Sequence, residues 1–346
     1  MLGSASRRTP TRASGTPSFH SGAGARRRTP PLIDSGATRL VRARSWADLN
    51  ARLFHGTWNR SLGRHRGSFA YRGTAWFEGS LETSLARRGV ADREPHLLRN
   101  FRKFAGPAPV PRDSPWDWLA LAQHHGLPTR LLDWSFSPYV ALHFATRDPI
   151  VQEGDGPPRQ ERDGVVWCID YVAAHRRLPP VLRAELRRES ADVFTTEMLG
   201  AVARGPRELD ALAAEPFLLF LDPPSLDARM VNQFALFSMM APSGATLAGW
   251  LRENPGVSRG VVIPASLKWE VRDRLDQINV TERVLFPGLD GLSRWLTRYY
   301  SPRGTEGRES PSATRAADRN ARRRRKEGAR PARDARRPTN RRGRGR

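Results

Sequence analysis

Apolar residues recur along this chain in two rhythms, one helical and one strand-like. Behind Ser45, a candidate N-cap, Trp46, Leu49 and Leu53 fall on one helical face. Ser68 to Gly73 alternates bulky and small residues and reads as a strand ending at a glycine turn. Leu97, Leu98, Phe101 and Phe104 return to helical spacing. Ser114, Pro115 and Asp117 then form a helix start with an N-cap, a first-turn proline and an acidic first turn, and Gly126 stops that helix. The spacing predicts a strand over 127–132, a helix opening at Ser137-Pro138, a buried strand at 165–169 and a helix over 181–189. Further strands are expected at 216–221 and 257–264, a mixed segment at 228–237, and helices over 266–276 and 290–299. The elements intermingle without a strict βαβ rhythm. That favours an α+β fold: a single mixed domain over residues 38–300, with a central, largely antiparallel or split sheet flanked by helices.

Charge changes the picture at the two ends. The chain carries 58 Lys and Arg against 35 Asp and Glu, a net of +23 over 346 residues. Residues 1–30 hold six Arg and no acid, and residues 303–346 hold 17 basic against five acidic residues, which leaves the middle near +5. Both ends are poor in aromatics and rich in Arg, Pro, Gly and Ser. Segments of that kind bury too little apolar surface to offset ordering entropy. Residues 1–37 and 301–346 are therefore expected to be disordered basic tails, binding nucleic acid weakly and without sequence preference through counterion release. Only three of the 58 basic residues are Lys, so codon bias explains part of the Arg excess. The Glu153–Pro158 stretch reads as an exposed acidic insertion.

One cysteine, Cys168, sits in the apolar run Val165-Val166-Trp167-Cys168-Ile169, which points to a buried inert thiol and excludes an internal disulfide. No run of 18 apolar residues is present, and no apolar segment follows the Arg-rich start. The expectation is a cytoplasmic protein with no membrane partner.

Chemistry concentrates between Ala122 and Ala145. Gln123-His124-His125-Gly126-Leu127-Pro128-Thr129-Arg130-Leu131-Leu132-Asp133-Trp134-Ser135 is followed by Ser137-Pro138 and by Ala141-Leu142-His143-Phe144-Ala145. Polar groups at strand ends and helix starts are where sites are usually built. Adjacent His124 and His125 would diverge by about 100° on a helix, and no His-Glu-x-x-His spacing occurs, so no metal is expected. Neither a Gly-x-Ser-x-Gly elbow nor a Gly-x-x-x-x-Gly-Lys loop is present.

This run, together with Tyr71-Arg72-Gly73, Leu81-x-x-Ser84-Leu85, Arg229-x-x-x-Gln233 with Phe237, and Leu285-Phe286-Pro287-Gly288-Leu289-Asp290-Gly291-Leu292, resembles the FRG family, named for its aromatic-Arg-Gly signature. The motifs stand in the family's order between Phe69 and Leu296. Where that family usually has Gly after the Gln, this chain has Phe234. A more distant resemblance, to ADP-ribosyltransferases, implies roles for three residues. Arg72 would hold a phosphate or ribose, Ser135 would position a nicotinamide ribose, and Glu282, on a late strand, would steady an oxocarbenium-like transition state, with NAD as donor. Glu282 stands one residue farther from its Leu-x-Pro than those transferases place their acid.

Two function classes follow. One is an ADP-ribosyltransferase-like enzyme acting on NAD through Arg72, Ser135 and Glu282, with Tyr71, His125, Thr129, Arg130, Asp133, Trp134, Arg229 and Gln233 binding a nucleotide-like ligand. The other is a non-catalytic module for an anionic ligand or partner, tethered to nucleic acid by the Arg-rich tails. In a structural reading of the same residues, Arg72 and Arg130 bridge to carboxylates, and Ser135 and Ser137 are turn and cap residues.

Overall fold

Short apolar runs separated by polar turns become strands, and eight of these share one sheet. The computed structural model describes residues 39–76, 81–106, 110–147 and 162–301; the acidic insertion and both expected tails, apart from Ser301, lie outside them. The strands are β1 (Arg39–Arg42), β2 (Trp58–Asn59), β3 (Arg64–His65), β4 (Phe69–Thr74), β5 (Leu132–Ser135), β6 (Gly164–Asp170), β7 (Phe194–Thr195), β8 (Phe217–Asp222), β9 (Ala235–Ala241) and β10 (Ser258–Ile263). The sheet runs β1-β10-β6-β4-β5-β9-β8-β7, and β2 and β3 form a separate hairpin. Its outermost pairs, β1 with β10 and β7 with β8, are parallel, and every pair between them is antiparallel. The expected α+β class with a largely antiparallel sheet is what the chain adopts.

The sheet is also close to split. β4 pairs with β6 over six residues and β5 pairs with β9 over four, but β4 and β5 meet only at Tyr71 opposite Ser135. Beyond that pair the strands part, and the Arg72 side chain spans the gap by donating from Nη1 to the Asp133 carbonyl at 2.7 Å.

Alternation along the strands sorts the core into three clusters. Val165, Trp167 and Ile169 of β6 face the same cluster as Trp134, Phe220, Leu236 and Met240, so one face of the sheet is apolar across both halves. The opposite face is divided. Val166 and Cys168 pack with Tyr71, Ala141, Leu142 and Ala145 beside one half. Phe217, Leu219, Phe237 and Met239 pack with Trp116, Leu119 and Leu199 beside the other. Cys168 is buried, and burial pushes its thiol up to about 12, which keeps it protonated.

The helix Pro138–Ala145 lies on β4 and β6 with its backbone touching theirs. Ser137 caps it, accepting from the Val140 N–H. A Cβ on Gly73 would stand 1.6 Å from the Ala141 carbonyl oxygen, and one on Gly164 would stand 2.3 Å from the Ala145 carbonyl oxygen. Residues four apart share a helix face, so these two glycines receive consecutive turns of one helix.

Two expectations are corrected. The strand expected over 127–132 begins only at Leu132, because side chains take the backbone N–H groups before it. Arg130 N–H donates to Glu94 at 2.7 Å, and Leu131 N–H donates to Thr129 Oγ1 at 3.1 Å. Glu282, expected on a late strand, is the first residue of the helix Glu282–Leu285, capped by Thr281. Elsewhere the helix starts at Ser45, Ser114 and Ser137 stand as read, each serine accepting a first-turn N–H. Among the described residues no helix is long and apolar enough to cross a membrane. Compact packing divides the chain after Arg294; in the second unit the rings of Trp295 and Tyr299 lie 5.1 Å apart.

Two measurements check this account. Gly73→Ala forces a methyl into a helix backbone that cannot yield locally, and is expected to cost about 3 kcal/mol or more, lowering the melting temperature by on the order of 10 °C; an unchanged melting curve would refute the contact. His175 is buried, bonded through Nδ1 to the Asp192 carbonyl and through Nε2 to the Phe220 N–H, and burial pushes its pKa down to about 4. The unfolded chain therefore binds this proton more tightly. The stability that neutral His175 confers is complete above its unfolded value of about 6.5 and declines as pH falls from there toward 4. Urea titration should find the protein about 2 kcal/mol less stable at pH 5 than at pH 7; a flat profile would exclude His175 as the cause.

Candidate functional site

The gap between β4 and β5 opens into a cleft of about 600 Å³, a size suited to a small-molecule ligand. It lies where the divided face of the core leaves room. Tyr71 and Ala141 of one cluster and Met230 and Phe237 of the other appear among its walls. The helix Pro115–His124 ends over it, and the turn after that helix brings His125, Gly126 and Leu127 to its edge. The helix Ala228–Asn232, capped by Asp227, supplies Arg229, with Gln233 just beyond it.

Eight of the eleven expected site residues line this cleft: Tyr71, Arg72, His125, Asp133, Trp134, Ser135, Arg229 and Gln233. Their side chains are committed to different degrees. Arg72 is half-buried; burial pulls its pKa below the usual Arg value, and Asp133 opposes that pull. Ser135 Oγ donates to the Gln233 carbonyl at 2.7 Å and accepts from the Ser137 N–H at 3.0 Å, so its hydroxyl ties the two sides of the cleft. The Trp134 indole N–H is spent on Ser238 Oγ, and its ring packs edge-on to Phe220, so Trp134 is core. Tyr71 is buried, its hydroxyl 3.4 Å from the Leu53 carbonyl, and burial raises its pKa well above the ordinary phenol value. Asp133 is exposed and accepts from Gln123 Nε2 at 3.0 Å.

Three expected site residues lie off the cleft lining. Thr129 Oγ1 donates to Gln123 Oε1 at 2.5 Å and serves the local turn. Arg130 is buried between two carboxylates. Its Nε donates to Glu94 at 2.5 Å, and its Nη1 donates to both Asp210 oxygens at 3.0 and 2.9 Å. Against the effect of burial, Glu94 and Asp210 raise its pKa. Glu282 is buried and holds the Arg272 guanidinium, whose Nη1 also lies 2.9 Å from His143 Nδ1. An ion pair so buried orders its surroundings, and neither partner leaves it cheaply.

Other cleft contacts carry no signal in the chain order. His124 Nε2 lies 2.6 Å from Asp227, a residue 103 positions away. Burial works against the Asp227 charge, but bonds from Met230 N–H and His124 hold its carboxyl below the usual carboxylate range. The closing motif, residues 285–292, is fastened beside the cleft at its first residue and the one before it: Asn232 donates to the Val284 carbonyl and Gln233 to the Leu285 carbonyl, both at 2.8 Å. Phe286 of that motif then carries the Arg229 guanidinium 5.4 Å from its ring centroid. Among the described residues no group of three or more His, Cys, Asp or Glu is arranged to hold a metal.

The aromatic-Arg-Gly strand, the β5 turn and the helix behind it form one structural unit, and residues 67–153 match the family model of the FRG domain. The chain carries an FRG domain. The matched stretch of the FRG domain supplies β4, β5 and the helix Pro138–Ala145. Arg229, Gln233 and the closing motif come from beyond it. No curated protein and no solved structure matches the chain.

Phe234, where the resemblance drawn from the sequence leads to an expected Gly, has φ +49°, in the left-handed region, and its side chain is 57% exposed. A glycine would adopt that backbone without strain while giving up little buried surface. Phe234→Gly is expected to raise stability by about 0.5–1 kcal/mol in thermal or urea unfolding; destabilisation would show that the exposed ring contributes more than its backbone costs.

Proposed function

We propose that the cleft at the β4–β5 joint binds a nucleotide-like anion such as NAD or ADP-ribose. The observation that carries this reading is Arg229. It is exposed, it lines the cleft, and its guanidinium is braced on Phe286 and bonded to no carboxylate among the described residues; only its backbone N–H reaches Asp227. Arg72, His124 and His125 join it on the walls, and among the described residues Asp133 is the single carboxylate in the lining. A guanidinium with its fork unoccupied suits phosphate, and a charge-assisted contact of this kind is stronger than a neutral one. The Arg-rich ends, outside the described residues, would add salt-sensitive attachment to nucleic acid.

A narrower reading, glycosyl transfer from NAD, is favoured by Arg72 and Ser135 standing on the two strands that flank the joint. It calls for a fixed carboxylate against the ribose. Glu282 is engaged with Arg272, and Asp133 is the acid that faces the cleft. The binding reading is therefore the conclusion, with transfer the alternative.

Calorimetric titration with ADP-ribose and with NAD should show saturable binding, weakened about tenfold or more by Arg229→Ala, with an unchanged melting temperature. Absence of binding would overturn the reading. NAD incubated with the protein is expected to stay intact; nicotinamide release, lost in Asp133→Asn, would establish transfer instead.

A further inference from the structure

A second cavity, of about 540 Å³, opens between the helices Glu94–Phe104, Pro115–His124 and Pro206–Ala211. Its walls are apolar: Pro95, Leu98, Pro115, Trp118 and Pro206. Arg130, paired with Glu94 and Asp210, forms part of the inner wall, so the charges there are answered. The remaining cations of the lining are Arg99, Arg102, Arg204 and Arg207. Arg102 pairs with Asp113 and lies 5.9 Å from the Trp118 ring centroid, and Arg204 pairs with Glu208 at 2.7 Å. Arg99 and Arg207 are bonded to no carboxylate among the described residues. The bond found for Arg99 runs from Nη2 to His96 Nδ1.

An apolar pocket of ligand size with two uncompensated guanidinium groups matches one kind of molecule. We propose that this cavity binds a small amphipathic anion, its aromatic or aliphatic body against Leu98, Trp118 and the prolines, and its carboxylate, sulfonate or phosphate head at Arg99 and Arg207. Apolar lining supplies affinity by removing surface from water, and the two cations select the charged head. This site is distinct from the β4–β5 cleft: none of the residues named for its walls and rim lines the cleft.

Gly205 provides a means of closing it. Its φ of −177° is extended backbone that any residue adopts, and a Cβ there would lie 3.5 Å from Pro115 Cβ, in ordinary contact inside the groove. Gly205→Leu therefore fills the cavity without backbone strain, and Arg99→Gln/Arg207→Gln removes the head contacts from the rim. The probes are 8-anilinonaphthalene-1-sulfonate, an aromatic sulfonate, and the uncharged N-phenyl-1-naphthylamine, followed by fluorescence titration on the full chain at native pH. One sulfonate per chain is expected to bind saturably. Gly205→Leu should weaken both probes about tenfold or more, and the double Gln variant should weaken the sulfonate by as much while leaving the neutral probe unchanged. Absence of saturable binding overturns the proposal, as does wild-type sulfonate affinity in either variant. Equal loss of both probes in the double variant also overturns it, because the arginines would then be shaping the groove and not reading charge.

Discussion

The bond from Arg72 to the Asp133 carbonyl is the tie on which the sheet's architecture turns. Two four-stranded halves meet through one residue pair, Tyr71 with Ser135, and past that pair a guanidinium stands where ladder bonds would be. A wholly zipped sheet would leave no room between its halves. A wholly separated one would expose strand edges and lose the apolar face that runs beneath both. The side chain keeps the halves joined and apart at once, and the cleft is the space that remains.

Around that tie, each wall is fixed by bonds from a different stretch of the chain. Ser135 reaches the Gln233 carbonyl, Gln233 reaches Leu285, and His124 reaches Asp227. These contacts use up hydroxyl, amide and carboxylate groups that a bare list of residue types would present as reactive. Arg229 differs because its brace is an aromatic face, which orients the guanidinium without consuming its donors. That distinction moves the functional reading from covalent chemistry toward recognition of an anion.

Much of the fold was legible in the chain because local rules and burial agreed there. Ser45, Ser114 and Ser137 start helices by the same cap bond, and the apolar run at 165–169 is buried on both faces. The failures share a cause. Residues 127–131 look like a strand, but Glu94 and Thr129 side chains satisfy their backbone, and Glu94 lies 36 positions from Arg130. Glu282 sits in a motif that resembles a catalytic one, yet Arg272, ten positions upstream, claims it. The site was legible as a set of motifs because residues 71–73 and 133–135 lie on the two strands that meet at Tyr71 and Ser135. Which members face the ligand depended on long-range partners such as Asp227, and periodicity carries no trace of those.

Gly73 shows what the last letter of the aromatic-Arg-Gly signature records. Of the three residues, the aromatic fills the core, the arginine spans the joint, and the glycine is the absence of a side chain where a helix carbonyl rests. Such a position tolerates no variation of size, however conservative the chemistry. A sequence signature can therefore mark a distance of closest approach between two backbones as readily as it marks a reactive group.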